Sequence, residues 1–280
     1  MMTNPPPSLT TIKPRATQKL GPRDLGVINL RGLWTLYLKE VKRFLSVFTQ
    51  TILAPMVTSL LFLAIFTLAL GRGNVMYGDV PYAAFLAPGL IMMQMLQNSF
   101  ANCSSSLLIS KVQGNIVDIL MPPLSPGELT LGLAAGGITR GLLVGLVTAL
   151  AMSLFVPVKL EVPWAILFFG FNASLMLTLL GMFGGIWAEK FDHMAAVTNF
   201  VIVPLSFLSG TFYSIERLPE NWLFVAHLNP FFYLIDGFRY GFLGKNDSDL
   251  LVGALTVLGV NLLLWLLVHR MIKVGYKLKP

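Results

Sequence analysis

The sequence predicts an all-α membrane protein: six transmembrane helices, an N-terminal amphipathic interfacial helix, and a broken re-entrant helical hairpin between spans 5 and 6. Three observations carry the prediction. Of 280 residues, 55% are apolar and 12% charged, about half of the ~25% charge usual in a soluble domain. A mean hydropathy of +0.72 agrees, because a water-soluble core of this size cannot bury so much apolar surface behind so little charge. The apolar residues also gather into windows of about 20, the length that crosses a bilayer. Disorder, which needs the reverse balance, is excluded. One cysteine, Cys103, leaves no disulfide framework or multi-cysteine metal site, and His193, His227 and His269 lie too far apart for zinc-type spacing. The net charge of +7 is read as basic cytoplasmic loops of a membrane chain rather than as a nucleic-acid surface.

Taken in order, residues 1–27 combine Pro5, Pro6 and Pro7 with Lys13, Arg15, Lys19 and Arg23. No apolar signal region or small-residue cleavage site accompanies them, so they read as a flexible basic, cytoplasmic tail. Over 28–50, Leu30, Leu33, Trp34, Tyr37, Val41, Phe44, Leu45 and Phe48 recur at helical spacing. Arg31, Thr35, Lys39, Lys42, Arg43 and Ser46 take the other side. The pattern predicts a helix along the cytoplasmic headgroups, its cations meeting anionic lipid.

Six spans follow at 51–70, 85–109, 131–155, 164–187, 194–212 and 250–268, with Arg140 the one charge inside any of them. Residues 213–245 are apolar but broken by Asn229-Pro230 and carry Asp236 and Arg239. They read as short helices dipping into the outer leaflet, and 271–280 as a basic cytoplasmic tail. With both termini inside, fourteen Lys and Arg lie on the cytoplasmic side and five outside, as the positive-inside rule asks. A seventh span would expose the basic C-terminal tail to the wrong side.

Two connections have more character than a linker needs. After span 2 a short helix over Asn115–Met121 is stopped by Pro122 and Pro123. Ser125-Pro126-Gly127-Glu128 then has the N-cap, N1 and N3 residues of a capping box. After span 5 come Pro204–Gly210-Thr-Phe-Tyr213, Leu218-Pro219 and Asn229-Pro230-Phe-Phe-Tyr233 through Arg239.

These two stretches resemble the permease subunits of ABC-2 type exporters. The run Ile119–Glu128 is similar to that family's "LLxTPLSPxE" loop, and Pro204–Pro219 with Asn229–Arg239 to its "PLxFLSGxFyPxxxLP … NPlxyxxxxxR" region. Ser214 stands where the family commonly has proline. With the amphipathic helix and six spans, the resemblance covers about residues 28–270. It implies a bacterial inner-membrane half-transporter, working as a homodimer with two copies of a separate ATPase subunit and moving an amphiphilic substrate such as a lipid, a lipid-linked glycan or a hydrophobic drug. It also implies that Asn115, Ile116, Val117, Asp118, Ile119, Leu120, Met121 and Glu128 couple the permease to that ATPase. ATP and Mg would belong to the partner, and this chain would bind no cofactor and catalyse nothing. Its own residues agree: the best approach to a phosphate loop, Gly132-Leu-Ala-Ala-Gly-Gly137, lacks the lysine and lies inside an apolar span.

Further candidates come from polarity in apolar surroundings. Gln94, Gln97, Asn98, Asn102 and Ser105 share one broad face of span 2. Amides in lipid need partners, so this face is expected to line a translocation path or a contact with the second permease. Met92, Met93 and Met95 read as ordinary apolar surface. Arg140 is expected to snorkel toward cytoplasmic headgroups. Asp236 and Arg239, three apart, are expected to pair near the outer face. Phe212, Tyr213, Trp222, Phe231, Phe232, Tyr233, Phe238 and Tyr240 read as an interfacial aromatic belt. Glu189, Lys190, Asp192 and His193 read as a solvated turn that touches the ATPase, and Cys103 as a small buried hydrophobe. An ion-driven secondary transporter would place acids near the midplane, and none of the six windows contains one. A membrane-embedded enzyme would need an acid–histidine cluster that the chain lacks.

Overall fold

A computed structural model of the chain describes residues 28–70, 76–77, 80–157, 159–213, 224 and 226–278. The tail expected over 1–27 and residues 214–223 and 225 of the expected re-entrant segment lie outside the described residues, as do Ser214 and Trp222. Ten α-helices are described. The amphipathic stretch forms α1 (Leu30–Leu45). Then follow α2 (Ala54–Leu70), α3 (Tyr82–Val112), the short α4 (Ile116–Leu120), α5 (Pro126–Ser153) and α6 (Pro163–Trp187). The last four are α7 (Phe191–Val197), α8 (Val203–Leu208), α9 (Pro230–Leu243) and α10 (Leu250–Val274). A minimal antiparallel ladder pairs Met76–Tyr77 with Val80–Pro81.

Five helical stretches among the described residues are long and apolar enough to cross a membrane: Thr49–Ala69, Pro126–Ser153, Pro163–Trp187, Phe191–Leu208 and Leu250–Val274. The expected span 85–109 is the exception. It lies within α3, the longest helix at 31 residues, which at ~1.5 Å per residue exceeds the bilayer's apolar thickness. Its amides and serines make it too polar to join the other five. The polarity is tolerated because α3 is the centre of the molecule, packed between α5 and α6 with most of its side chains buried. Met92, Met93 and Met95, read from sequence as apolar surface, are core residues here.

Two spans contain a π-helical turn, one at its start and one at its middle. Ahead of α2, Thr49–Leu53 is a π-helical turn, and between α7 and α8, Thr198–Ile202 is another. Proline follows each two residues on, at Pro55 and Pro204. A proline has no N–H to offer the carbonyl four residues back, and its ring crowds that carbonyl. The preceding turn widens to the π spacing instead. The expected continuous span 194–212 is therefore three short pieces from Phe191 to Leu208. These two spans are also the least packed, each only 17% buried.

Helix α9 corrects the aromatic-belt expectation. Phe231, Phe232, Tyr233 and Phe238 are buried in the main core with Phe169 of α6. A belt residue must reach the headgroups, and these face protein. At the C-terminal end, the expected span 250–268 continues as helix to Val274, where Gly275 at φ +72° ends it.

Candidate functional site

The functional candidates lie in two places: a short helix between α3 and α5, and a polar seam where α1, α3 and α5 meet.

The short helix is α4, within the expected Asn115–Met121. Gly114, at φ +76°, turns the chain out of α3, and Asn115 precedes the first turn as N-cap. Ile116 and Ile119 face inward into a cluster with Leu107, Leu129, Leu133, Met182 and Ile186. Val117, Leu120 and Met121 face outward at 46%, 37% and 77% exposure, and Asp118 is exposed beside them. A five-residue helix is too short to be stable alone, so its orientation is set by the isoleucines beneath it.

Glu128 has contacts within the chain. It completes the capping box of α5, accepting from the Ser125 backbone N–H at 2.6 Å while the Ser125 Oγ accepts from the Glu128 N–H. Its other oxygen accepts from the Asn29 backbone N–H. Asn29 itself caps α1, its Oδ1 accepting from the Gly32 N–H at 2.9 Å. One carboxylate thus joins the starts of α1 and α5, an internal contact made beside the surface where the coupling role is expected.

The polar seam begins with Glu40, a fully buried carboxylate on α1. It accepts from Ser106 Oγ at 2.7 Å and from Arg43 Nη2 at 2.9 Å. Arg43 also donates to Asn102 Oδ1 at 3.1 Å, to the Asn102 carbonyl at 2.7 Å and to Ser105 Oγ at 3.2 Å. The expected lipid-facing Arg43 is therefore turned onto α3. The physical reason is register: Leu36, Glu40 and Phe44 recur every four residues and form the buried stripe of α1. Leu30, Trp34, Leu45 and Phe48 are left exposed on another side, and Arg31, Lys39 and Lys42 on a third. A tight approach makes this possible, for a Cβ at Gly136 of α5 would lie 2.5 Å from Glu40 Cβ.

Deeper along α3, Arg140 of α5 is buried and donates from Nη2 to Asn98 Oδ1 at 2.9 Å. The snorkelling expectation fails here because Arg140 lies on the side of α5 that faces α3, not on the lipid side. Asn98 also donates to the Gln94 carbonyl at 3.0 Å. Gln94, Asn98 and Asn102 are buried, while Gln97 and Ser105 are half-buried. The face does meet protein, as its amides require, and that protein includes this chain's own α1 and α5. Cys103 is buried on the same helix, directed at the Leu133 carbonyl at 3.2 Å.

Asp236 and Arg239, expected as a pair, make their hydrogen bonds to different neighbours. Asp236 accepts from the backbone N–H groups of Asp247 and Ser248 at 2.9 and 3.0 Å and from Ser248 Oγ at 2.6 Å. It thereby folds the loop before α10 back onto α9. Arg239 donates to the Gly210 carbonyl at 2.6 Å and lies 4.0 Å above the Phe85 ring. Both residues tie α9 to its surroundings through these bonds.

Glu40 is the member of this arrangement that sequence reading passes over. The available signal was an acid spaced four residues from both Leu36 and Phe44, inside a helix otherwise basic.

The sequence pattern of the family described as ABC-2 type transporter matches residues 31–243. The Escherichia coli K12 protein named inner membrane transport permease YadH is 39% identical over 250 residues, covering 87% of this chain and 95% of that protein. Nodulation protein J of Neorhizobium galegae is 28% identical over 188 residues, 64% of this chain and 68% of its own length. Nodulation protein J of Rhizobium leguminosarum bv. viciae is 26% identical over 230 residues, 79% and 87% of the two chains. The match runs from the second residue of α1 to the last of α9, taking in the α4 loop and the polar seam, and the chain belongs to the ABC-2 type transporter family.

Proposed function

We propose that this chain is the membrane permease subunit of an ATP-driven exporter in a bacterial inner membrane. It spans the bilayer six times with both termini cytoplasmic, α3 being the polar second span and α9 one arm of an outer-face re-entrant hairpin. Two copies assemble with two copies of a separate ATPase, which supplies ATP, Mg and the power stroke. The substrate is amphiphilic: a lipid, a lipid-linked glycan or a hydrophobic drug.

The observation that carries the proposal is the outward face of α4. Three exposed apolar side chains on a short helix, placed at the end of the molecule with the positive loops, form a surface that water does not favour and a protein partner does. The seam explains how movement would spread from there. Glu128 joins the α4–α5 connection to the start of α1, and Glu40 and Arg43 join α1 to α3, so a push on α4 reaches three helices at once. In this reading Asn98, Asn102 and Ser105 serve the coupling seam, and Gln97 is the half-exposed amide that faces a path or a second permease.

The test is purification of the tagged chain in mild detergent, with ATP hydrolysis measured in the product. Wild type is expected to bring down an ATP-hydrolysing subunit. A Val117→Asp/Met121→Asp variant is expected to lose that subunit while keeping its own elution volume and helix content. A wild-type chain that carries no nucleotide-binding subunit under any mild condition would sink the proposal and favour ion-driven transport.

A further inference from the structure

We infer that the C-terminal tail braces the coupling helix, with Leu278 as the positioning residue. The inference rests on the reading of α4 as the ATPase contact. From sequence, 271–280 is only a basic tail; in the structure the helix runs on to Val274 and Gly275–Leu278 turns back toward the apolar cluster under α4. The Gly275 N–H donates to the Ile272 carbonyl at 3.1 Å and the Tyr276 N–H to the Met271 carbonyl at 3.0 Å. These bonds reverse the chain as in a Schellman turn.

Lys277 comes next, at φ +50°, the one non-glycine residue with positive φ among the described residues. A lysine gains nothing sterically from that conformation, so neighbouring contacts hold it there. Two do. Lys277 Nζ donates to Glu189 Oε1 at 2.7 Å, in the turn between α6 and α7. Leu278 is 4% exposed and shares one apolar cluster with Ile116 and Ile119, the inward face of α4. Leu278 and Ile116 also line a common cavity of about 340 Å³ with Lys111, Glu189 and Lys277. Across it, Lys111 Nζ donates to the carbonyls of Ile186 and Ala188 at 2.6 Å each, tying α3 to the end of α6.

A five-residue helix takes its orientation from what it sits on. Here part of the seat comes from the far end of the chain. The exposed Glu189–Lys277 pair contributes little energy by itself and serves to locate the tail; Leu278 supplies the contact. Displacing the cytoplasmic end of α10 would then tilt the face made by Val117, Leu120 and Met121 without touching it.

The experiment uses the full chain in lipid nanodiscs, with and without the ATPase that co-purifies, and reads amide exchange by mass spectrometry. Leu278→Ala is expected to speed exchange over 116–121 roughly tenfold, as loss of a buried leucine contact would, and to leave α6 unchanged. Leu278→Met should restore protection. Glu189→Lys should loosen the same amides, and Glu189→Lys/Lys277→Glu should tighten them again. Unchanged exchange in Leu278→Ala, or equal acceleration in α6, would overturn the brace. In the complex, Leu278→Ala should lower permease-stimulated ATP hydrolysis while Leu278→Met keeps it; equal hydrolysis in both would overturn the positioning role. A wild-type chain that recruits no ATPase would defeat the coupling reading, and the exchange result would then decide the brace alone.

Discussion

Glu40 and Arg140 show how single charges are accommodated inside this bundle. Glu40 is buried with Arg43 and Ser106 as partners, so its charge is compensated where it stands. Arg140 has a neutral partner, Asn98, and its Nε has none among the described residues. An arginine held by one amide depends strongly on that amide. Replacing Asn98 with leucine should cost about 2 kcal/mol, the scale of a hydrogen bond to a charged group. The double variant Asn98→Leu/Arg140→Met should recover most of it, since it removes the stranded charge as well. Thermal unfolding of the four proteins in detergent measures this, and additive losses would contradict it. Ser125 is the corresponding test at a helix start: Ser125→Ala should cost about 1 kcal/mol, typical of a lost N-cap, in the same assay.

At the scale of elements, close approach decides which helices can meet. Gly136 lets α1 lie on α5, and Gly181 of α6 stands against the backbone carbonyl of Phe100 on α3. Small residues at such crossings are how membrane helices gain contact when lipid competes for every apolar surface. Gly136→Val should force α1 off its seat at a cost of about 1–3 kcal/mol, read as new protease cleavage within 30–45. Gly259→Val, on a face of α10 with open space, should change nothing. The π turns belong to this scale too. Pro204→Ala restores a donor to the ladder, and amides over 198–202 should exchange more slowly than in wild type; faster exchange would mean that the proline is not the cause of the widened turn.

For the molecule as a whole, the exposed Glu189–Lys277 pair locates the C-terminal turn against the α6–α7 connection, and its pH response has a definite sign. The Lys277 ammonium bonded to Glu189 holds that carboxyl below its ordinary value, and Glu189 in turn raises Lys277 above its own. A depressed carboxylate stabilises fully above its ordinary value and loses the effect as pH falls through the depressed one. A raised ammonium stabilises fully below its ordinary value and loses the effect as pH rises through the raised one. Tail seating should therefore be constant from about pH 6 to pH 9, weakening only below the usual glutamate range near ~4.3 and above the lysine range near ~10.4. Exchange over 276–278, corrected for its intrinsic pH dependence, checks this, and a change centred near pH 7 would rule it out.

Much of this was legible in the chain alone. Apolar windows and the scarcity of charge determined a multi-pass helical bundle, because lipid admits helices only where their residues are apolar along most of a span. The Ser125–Glu128 cap and the two prolines before it determined a short helix between two long ones, because capping and proline sterics act over four residues. Partnership across the bundle was not local in this way. That Arg43 turns to α3, that Arg140 finds Asn98, that Asp236 and Arg239 bond to different neighbours, and that Leu278 joins the cluster of Ile116 all depend on which faces come together. Helical periodicity puts a residue on a stripe, but only packing decides whether that stripe meets lipid, water or another helix.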